Sequence, residues 1–206
     1  HLIAENKKDE FNRLIQKSYD FTLAIALPMT IGLIFCAPSL ITALCGVKFE
    51  HSILPSQIIA PIILLVAISN VFGIQVLFPK GKINIVTFCC CIGAVADLIL
   101  NLCLIPFFSY IGTSIAYLGA EVATTVSMYF IGRKYIPIIY FKESHLTYAL
   151  GCFVMALALY GISLLQLPML TTLLVQGCCG VLTYFIILCI CKDEMLIQIL
   201  SKIKKK

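Results

Sequence analysis

Charged residues are scarce in this chain, and their scarcity limits the kinds of protein it can be. Only 12% of the 206 residues are Asp, Glu, Lys or Arg, whereas soluble domains carry roughly 25%. Hydrophobic residues make up 61%, and the mean hydropathy is +1.03. Almost no charge occurs in residues 21–45, 53–79, 83–132 and 146–191. A soluble fold could not cover this much apolar surface, so the sequence predicts an integral membrane protein.

Histidine clusters, CxxC pairs and phosphate-binding loops are also absent. The histidines His1, His51 and His145 lie at an end or in loops, and no glycine-rich nucleotide motif occurs. The eleven cysteines fall almost entirely inside apolar runs, and neighbours such as residues 89–91 point in different directions around a helix. The net charge of +5 comes from basic residues beside the apolar segments. We therefore expect no metal site, no cofactor, no nucleic-acid binding and no enzymatic activity.

The apolar segments divide into six predicted transmembrane helices. Because about 20 residues cross a hydrocarbon core, residues 83–132 must turn once between Pro106 and Ser109, and residues 146–191 once near Pro168. With six spans, fourteen of the fifteen Lys and Arg fall on one side and only Lys48 on the other. The positive-inside rule then places both ends of the chain in the cytoplasm. The predicted helices are residues 20–45, 54–79, 83–106, 109–132, 146–166 and 169–191.

The same pattern predicts an all-α, polytopic membrane helix bundle. Its first segment mixes charges with apolar residues, which suits either an amphipathic segment at the membrane surface or an ordinary loop helix. Its tail is basic and is expected to lie against lipid headgroups or to act only as a positive-inside signal. Because the chain starts with His1 and not Met, we expect an upstream portion to be missing. The predicted parts are an interfacial segment (1–18), four spans (19–132), a cytoplasmic loop (133–145), two appended spans (146–191) and the tail (192–206).

Two carboxylates are predicted at membrane depth, where a charge is costly and usually functional. Asp97 and Glu121 both fall near the midplane of consecutive antiparallel helices. One hypothesis is that their helix faces line a cavity that binds a coupling proton or cation. The other is that their hydrogen bonds only fasten two helices together. The faces are Gly93, Asp97 and Asn101 on one helix, and Ser114, Tyr117, Glu121, Thr125 and Met128 on the next.

Polar residues elsewhere in the spans complete the candidate set. Asn70 and Gln75 add amides to the second predicted helix, and prolines and glycines recur in the spans as they do in transporters with interrupted helices. The ion-coupling candidates are Asp97, Glu121, Asn101 and Tyr117, and the cavity-lining candidates are Asn70, Gln75, Ser114 and Thr125.

The third and fourth predicted helices carry a recognisable motif, ADLILNLCLIPFFSYIGTSIAYLGAEV, at residues 96–122. Asn101 precedes the tripeptide LIP, a short turn follows, and then come Gly112, Ala116 and Glu121. Residues 11–46 and the turn FPKGK add a cytoplasmic helix, an LP dipeptide at a span and a short basic turn. These features resemble the polysaccharide and oligosaccharide flippases, of the O-antigen or teichoic repeat-unit type, in the multidrug/oligosaccharidyl-lipid/polysaccharide exporter superfamily.

The resemblance implies a fold, a function and a set of partners. The chain would be most of the second lobe of a two-lobe, MATE-like transporter from a bacterial cytoplasmic membrane, plus two appended helices. Such a protein flips undecaprenyl-pyrophosphate-linked oligosaccharide repeat units for cell-surface polysaccharide biosynthesis, by alternating access coupled to a proton or sodium ion. Its partners would be that lipid-linked oligosaccharide, the ion, membrane lipids and the missing N-terminal lobe.

Two alternatives belong to other functional classes. A drug/cation exporter of the same superfamily would use Asp97 and Glu121 to bind its cargo directly. A membrane-embedded polymerase or acyltransferase would need a catalytic cluster and a sizeable outer loop, and the predicted outer loops are short and nearly uncharged. An anionic pyrophosphate favours Arg or Lys in a cavity, but the predicted spans contain neither, so the missing lobe would have to supply them.

Overall fold

The computed structural model describes residues 8–140, 142–165 and 168–191, and within these ranges every regular element is helical. Five segments are long and apolar enough to cross a membrane: Asp9–Cys45, Val47–Leu77, Ile83–Gly132, Ser144–Ser163 and Met169–Ile190. The prediction of an all-α, polytopic membrane helix bundle is confirmed. The helices are α1 Lys8–Cys45, α2 Ile53–Ile59, α3 Ile62–Asn70, α4 Ile83–Gly132, α5 Glu143–Ser163 and α6 Met169–Ile190, with a 3-10 helix at Val47–Ser52 and a π-helix at Val71–Leu77.

Helix α4 is a hairpin of two spans. Its 50 residues would extend about 75 Å as one straight helix, more than twice the roughly 30 Å of a hydrocarbon core. Ser109 breaks it with φ 50° and ψ −126°, which separates a first half, residues 83–108, from a second half, residues 110–132. Pro106 lies inside the first half, so the prediction that this proline ends the helix is wrong. A proline removes one helical hydrogen bond, whereas reversal of the chain needs the positive φ found at Ser109.

Glycines bring the two halves of α4 close together. A Cβ added at Gly112 would lie 2.6 Å from the Leu104 carbonyl oxygen, and one at Gly119 would lie 2.6 Å from Cδ1 of Leu100. Farther from the turn, a Cβ at Gly93 would lie 1.9 Å from Oγ1 of Thr124. The halves are therefore antiparallel neighbours in close contact, as small residues allow between membrane helices.

The contact between Gly93 and Thr124 gives a testable prediction. Gly93→Ala should destabilise the protein by about 1–3 kcal/mol, because its new methyl group overlaps Oγ1 of Thr124. Adding Thr124→Ala should restore most of this loss and leave a small cost, since the carbonyl oxygen of Ala120 lies 3.3 Å from the added Cβ. Thermal unfolding of the purified full-length protein in detergent measures both effects. An equal loss of stability in the single and double variants would contradict this packing.

Three other boundaries differ from those predicted. Helix α1 runs without interruption from Lys8 to Cys45, so no separate segment ends at residue 18. The predicted helix 54–79 consists of α2, α3 and the π-helix, with a break beside Pro61. Helix α5 begins at Glu143, three residues before the predicted start, and ends at Ser163. Residues 1–7 and the predicted tail, residues 192–206, lie outside the described residues.

The chain forms two compact units. Unit 1 contains the described residues of His1–Leu23 together with Pro61–Tyr140, and unit 2 contains Ala24–Ala60 with the described residues of Phe141–Lys206. Unit 1 is built from the start of α1, helix α3, the π-helix and the α4 hairpin. All eight candidate residues from the sequence belong to unit 1.

Unit 2 packs α5 against α6 and against the later part of α1. A Cβ at Gly151 would lie 3.0 Å from the ring of Tyr184, which shows how closely α5 approaches α6. The Tyr184 hydroxyl donates a hydrogen bond of 2.7 Å to the carbonyl oxygen of Ala24. The side chain of Gln57 on α2 donates to the carbonyl oxygen of Ile34 at 2.9 Å. These two bonds connect α6 and α2 to the later part of α1 within unit 2.

Candidate functional site

Asp97 and Asn101 form a polar pair one helical turn apart in the first half of α4. The Asn101 side-chain nitrogen donates to the Asp97 carboxylate at 3.0 Å and to the Asp97 carbonyl oxygen at 2.9 Å. Both of these bonds use the amide nitrogen, and the amide oxygen of Asn101 is a separate acceptor. That oxygen is buried and has no hydrogen-bond partner among the described residues. The pair thus combines a carboxylate with a spare amide oxygen, which are the ligand types that hard cations prefer.

Glu121 lies on a different face of the hairpin. Thr125, one turn farther along, donates to the carbonyl oxygen of Leu65 on α3 at 3.4 Å. Met128 continues this face and would lie 3.4 Å from a Cβ at Gly73 in the π-helix. The face that carries Glu121 is therefore the one directed toward α3 and the π-helix. Within the described residues Glu121 is partly buried and forms no hydrogen bond or ion pair.

The two carboxylates nevertheless lie at a similar height in the hairpin. Gly93 lies opposite Ala120 and Thr124, so Asp97 and Glu121 are each close to the level of this crossing. Ala120 faces the first half of α4, and Glu121 is turned about 100° from it because it is the next residue of the helix. The structure thus brings Asp97 together with Asn101. It places Glu121 on another face, the one by which the second half of α4 is directed toward α3 and the π-helix.

The remaining candidates of the second half differ in exposure. Tyr117 is 45% exposed, whereas Ser114 and Thr125 are buried at 4% and 7%. Ser114 donates to the carbonyl oxygen of Tyr110 in its own helix at 3.2 Å. The fastening hypothesis gave Asn101, Tyr117 or Ser114 as hydrogen-bond partners of the two acids. Asn101 bonds Asp97, but within the same helix, and Tyr117 and Ser114 bond neither carboxylate within the described residues.

The two amides of the second predicted helix lie in different settings. Asn70 is exposed at the end of α3. Gln75 lies in the π-helix, where its side-chain oxygen accepts a hydrogen bond of 2.5 Å from the hydroxyl of Ser18 on α1. Gln75 therefore joins two helices of unit 1.

Long-range polar contacts join the parts of unit 1 at the end where α1 begins, here called the α1 end. The Gln16 side chain pairs twice with the backbone of Ile139: its nitrogen donates to the carbonyl oxygen at 3.2 Å, and its oxygen accepts from the amide at 2.8 Å. The Lys80 ammonium donates to the Tyr135 carbonyl oxygen at 2.6 Å and lies 5.3 Å from the centre of the Phe11 ring. These contacts tie the segment after α4 to the start of α1.

An aromatic cluster completes the α1 end. Tyr19 stacks on Phe72 with ring centres 6.2 Å apart, and Tyr140 meets the edges of Tyr19, Phe72 and Tyr129 at 5.2–6.3 Å. Burial, reinforced by the neighbouring phenols of Tyr129 and Tyr19, raises the pKa of Tyr140 to about 12. The Tyr140 phenol is therefore neutral at physiological pH, and the cluster behaves as apolar packing.

Sequence analysis did not identify this α1 end. Gln16 and Ile139 are separated by 123 residues, so no local spacing relates them. The mixed charges of the first segment predict an amphipathic segment at the membrane surface or an ordinary loop helix, and neither prediction includes a contact with residues after α4. No group of three or more His, Cys, Asp or Glu suited to a metal ion occurs in the part of the chain that the structure describes.

Comparisons with known proteins agree with a transporter fold. Among solved structures, the chain is similar to "Lipid II flippase MurJ, inward closed conformation", with 18% sequence identity and a TM-score of 0.75. The alignment covers 93% of this chain but only 41% of that protein, so the chain spans less than half of its length. No curated protein gives a significant match.

The family comparison is more specific than the structural one. The family model described as "Lipid II flippase MurJ" matches residues 1–185, which is most of the chain. A flippase is a transporter, in agreement with the prediction that the protein is not an enzyme. The match names lipid II and not the O-antigen or teichoic repeat units that the resemblance suggested. The chain belongs to the lipid II flippase MurJ family.

Proposed function

We propose that this chain is the C-terminal part of a transporter that moves lipid II, a lipid-linked precursor, across the cytoplasmic membrane. The family match over residues 1–185 carries this proposal. It favours a lipid-linked substrate over the small cations of a drug/cation exporter. The distribution of Lys and Arg supports a topology with both ends of the chain in the cytoplasm.

We further propose that transport is coupled to a cation bound at Asp97 and Asn101. A carboxylate at membrane depth is costly unless it faces a partner, a cavity or an ion. Asn101 contacts that carboxylate through its amide nitrogen, and its amide oxygen has no hydrogen-bond partner among the described residues. No Lys or Arg occurs in the predicted spans to neutralise the carboxylate. A sodium ion would use both oxygens as ligands, and a proton would need only the carboxylate.

The charges of these helices favour different ligands for this chain and for the remainder of the full-length protein. The α4 hairpin contributes Asp97 and Glu121 and no cationic side chain. An anionic pyrophosphate is repelled by carboxylates and binds best to Arg or Lys. The part of the transporter beyond this chain is therefore expected to bind the pyrophosphate, while this chain binds the coupling cation.

Depletion of the full-length protein in its host tests the proposed substrate. Lipid II should become inaccessible to a membrane-impermeant degrading reagent and accumulate severalfold, because precursor that is not flipped stays on the inner side. Lipid-linked oligosaccharide repeat units are quantified in the same extracts by mass spectrometry. Re-expression of the wild-type gene serves as the control and should restore accessibility. Accumulation of repeat units alone would assign an oligosaccharide substrate, and unchanged levels of both classes would refute a flippase function.

A further inference from the structure

The π-helix at Val71–Leu77 interrupts the regular hydrogen bonding of its span. The Phe78 amide donates to the carbonyl oxygen of Gly73 at 2.8 Å. This bond connects residues five apart, whereas an α-helix connects residues four apart. Such π-turns are rare and occur frequently at functional sites. This segment thus contains more residues per turn than the α-helix before it.

Contacts on several sides hold the π-helix in its present register. The Ser18 hydroxyl donates to the side-chain oxygen of Gln75 at 2.5 Å. Phe72 belongs to the aromatic cluster of the α1 end, and Gly73 lies against Met128 of the α4 hairpin. Ile74, by contrast, is 63% exposed and is not part of this packing. The hydrogen bond from Ser18 is the polar contact that keeps Gln75 of the π-helix directed toward α1.

We propose that the π-helix is a rotation joint of unit 1, held by the bond between Ser18 and Gln75. This inference rests on the proposed transport function, because a joint of this kind serves a protein that alternates between two conformations. A π-turn that migrates along the span rotates each residue it passes by about 100°, while the helix on either side stays intact. Gln75 would then leave Ser18, and Gly73 would leave Met128. Transport requires the extra residue that makes this rotation possible.

Deletion of Ile74 from the full-length transporter tests the joint. Removing one exposed residue allows the flanking segments to bond as an ordinary α-helix with their own packing preserved. Ile74→Ala is the matched control, because it loses the same side chain and keeps the π-turn. In proteoliposomes, the deletion should lower the rate of lipid II transport at least about tenfold, whereas Ile74→Ala should stay within about twofold of the wild type. Binding of lipid II, measured on the same samples, should be retained in both.

The outcomes separate the joint from the proposed function. A deletion variant that transports at the wild-type rate would overturn the rotation joint and leave the flippase intact. A wild-type protein that moves no lipid II would refute the proposed function instead. A second measurement tests the rotation joint without a transport assay. It also tests the joint if the deletion variant does not fold.

That second measurement is hydrogen exchange in Ser18→Ala. Loss of the bond to Gln75 should make the amides of residues 73–78 exchange about tenfold faster. Thr42→Ala is the control, because within the described residues its hydroxyl bonds only the carbonyl oxygen of Pro38 in its own helix. This control should leave residues 73–78 unchanged. Unchanged exchange in Ser18→Ala would show that Ser18 does not hold the π-helix, and would overturn the proposal.

Discussion

Replacing Asp97 by Asn in the full-length transporter is expected to weaken binding of the coupling cation about ten- to a hundredfold. The substitution removes the negative charge and keeps a side chain of the same shape beside Asn101. A hydrogen bond or contact to a charged group contributes about 1.5–3 kcal/mol, and about 1.4 kcal/mol corresponds to a tenfold change in affinity. Lipid II transport measured against graded sodium and proton gradients should require correspondingly steeper gradients.

Double-mutant cycles in the same transport assay distinguish residues that act together from residues that act independently. Asp97→Asn and Asn101→Ala remove two groups in direct contact, so their effects should be non-additive by about 0.5–3 kcal/mol. Asp97 lies in the first half of α4, and Glu121 lies on the face of the second half that is directed toward α3 and the π-helix. The effects of Asp97→Asn and Glu121→Gln should therefore add within about 0.5 kcal/mol. An Asp97 variant that keeps its dependence on the cation would refute ion coupling at this residue. Strong coupling between Asp97 and Glu121 would refute their placement on separate faces.

The sequence predicts a depth for these two acids along the membrane normal but not the direction in which each one faces. The predicted depth comes from counting residues from the turn at Pro106–Ser109, because helical rise is nearly constant. The facing directions depend on how the halves of α4 cross, and that crossing is set by the close approach at Gly93, Gly112 and Gly119. Glycine in a membrane helix has several explanations, so its presence alone did not predict a crossing.

The fold was predicted best where one property dominates. Hydrophobic length predicted a bundle of membrane-spanning helices, and among the described residues the structure has five helical segments of sufficient length, one of which is the α4 hairpin. The predicted helix boundaries were less accurate. Helix α1 begins at Lys8, well before residue 21, where the uncharged apolar stretch begins. The contact between Gln16 and Ile139 and the π-helix at Val71–Leu77 were missed. Both depend on long-range packing, for which the local sequence carries no periodic signal.

Gly112→Ala is expected to destabilise the protein more than Gly93→Ala. The new Cβ would lie 2.6 Å from the carbonyl oxygen and 2.8 Å from the carbonyl carbon of Leu104, and 3.1 Å from the amide nitrogen of Ile105. These are backbone atoms, so no side-chain rotation relieves the overlap. The hairpin must open at the turn, where Ser109 already has a positive φ of 50°. Overpacking of this kind costs about 1–3 kcal/mol and occasionally more, which thermal unfolding in detergent detects as a lower Tm.

Gly177→Ala supplies the matched control for this prediction. Gly177 lies inside α6, and a Cβ added there meets no atom within 4 Å. Alanine favours a helix over glycine by about 1 kcal/mol, so this variant should unfold at the wild-type temperature or slightly above it. A Gly112→Ala protein as stable as Gly177→Ala would mean that the halves of α4 do not meet at Leu104. In that case the shared height of Asp97 and Glu121, which follows from the same antiparallel crossing, would have to be abandoned as well.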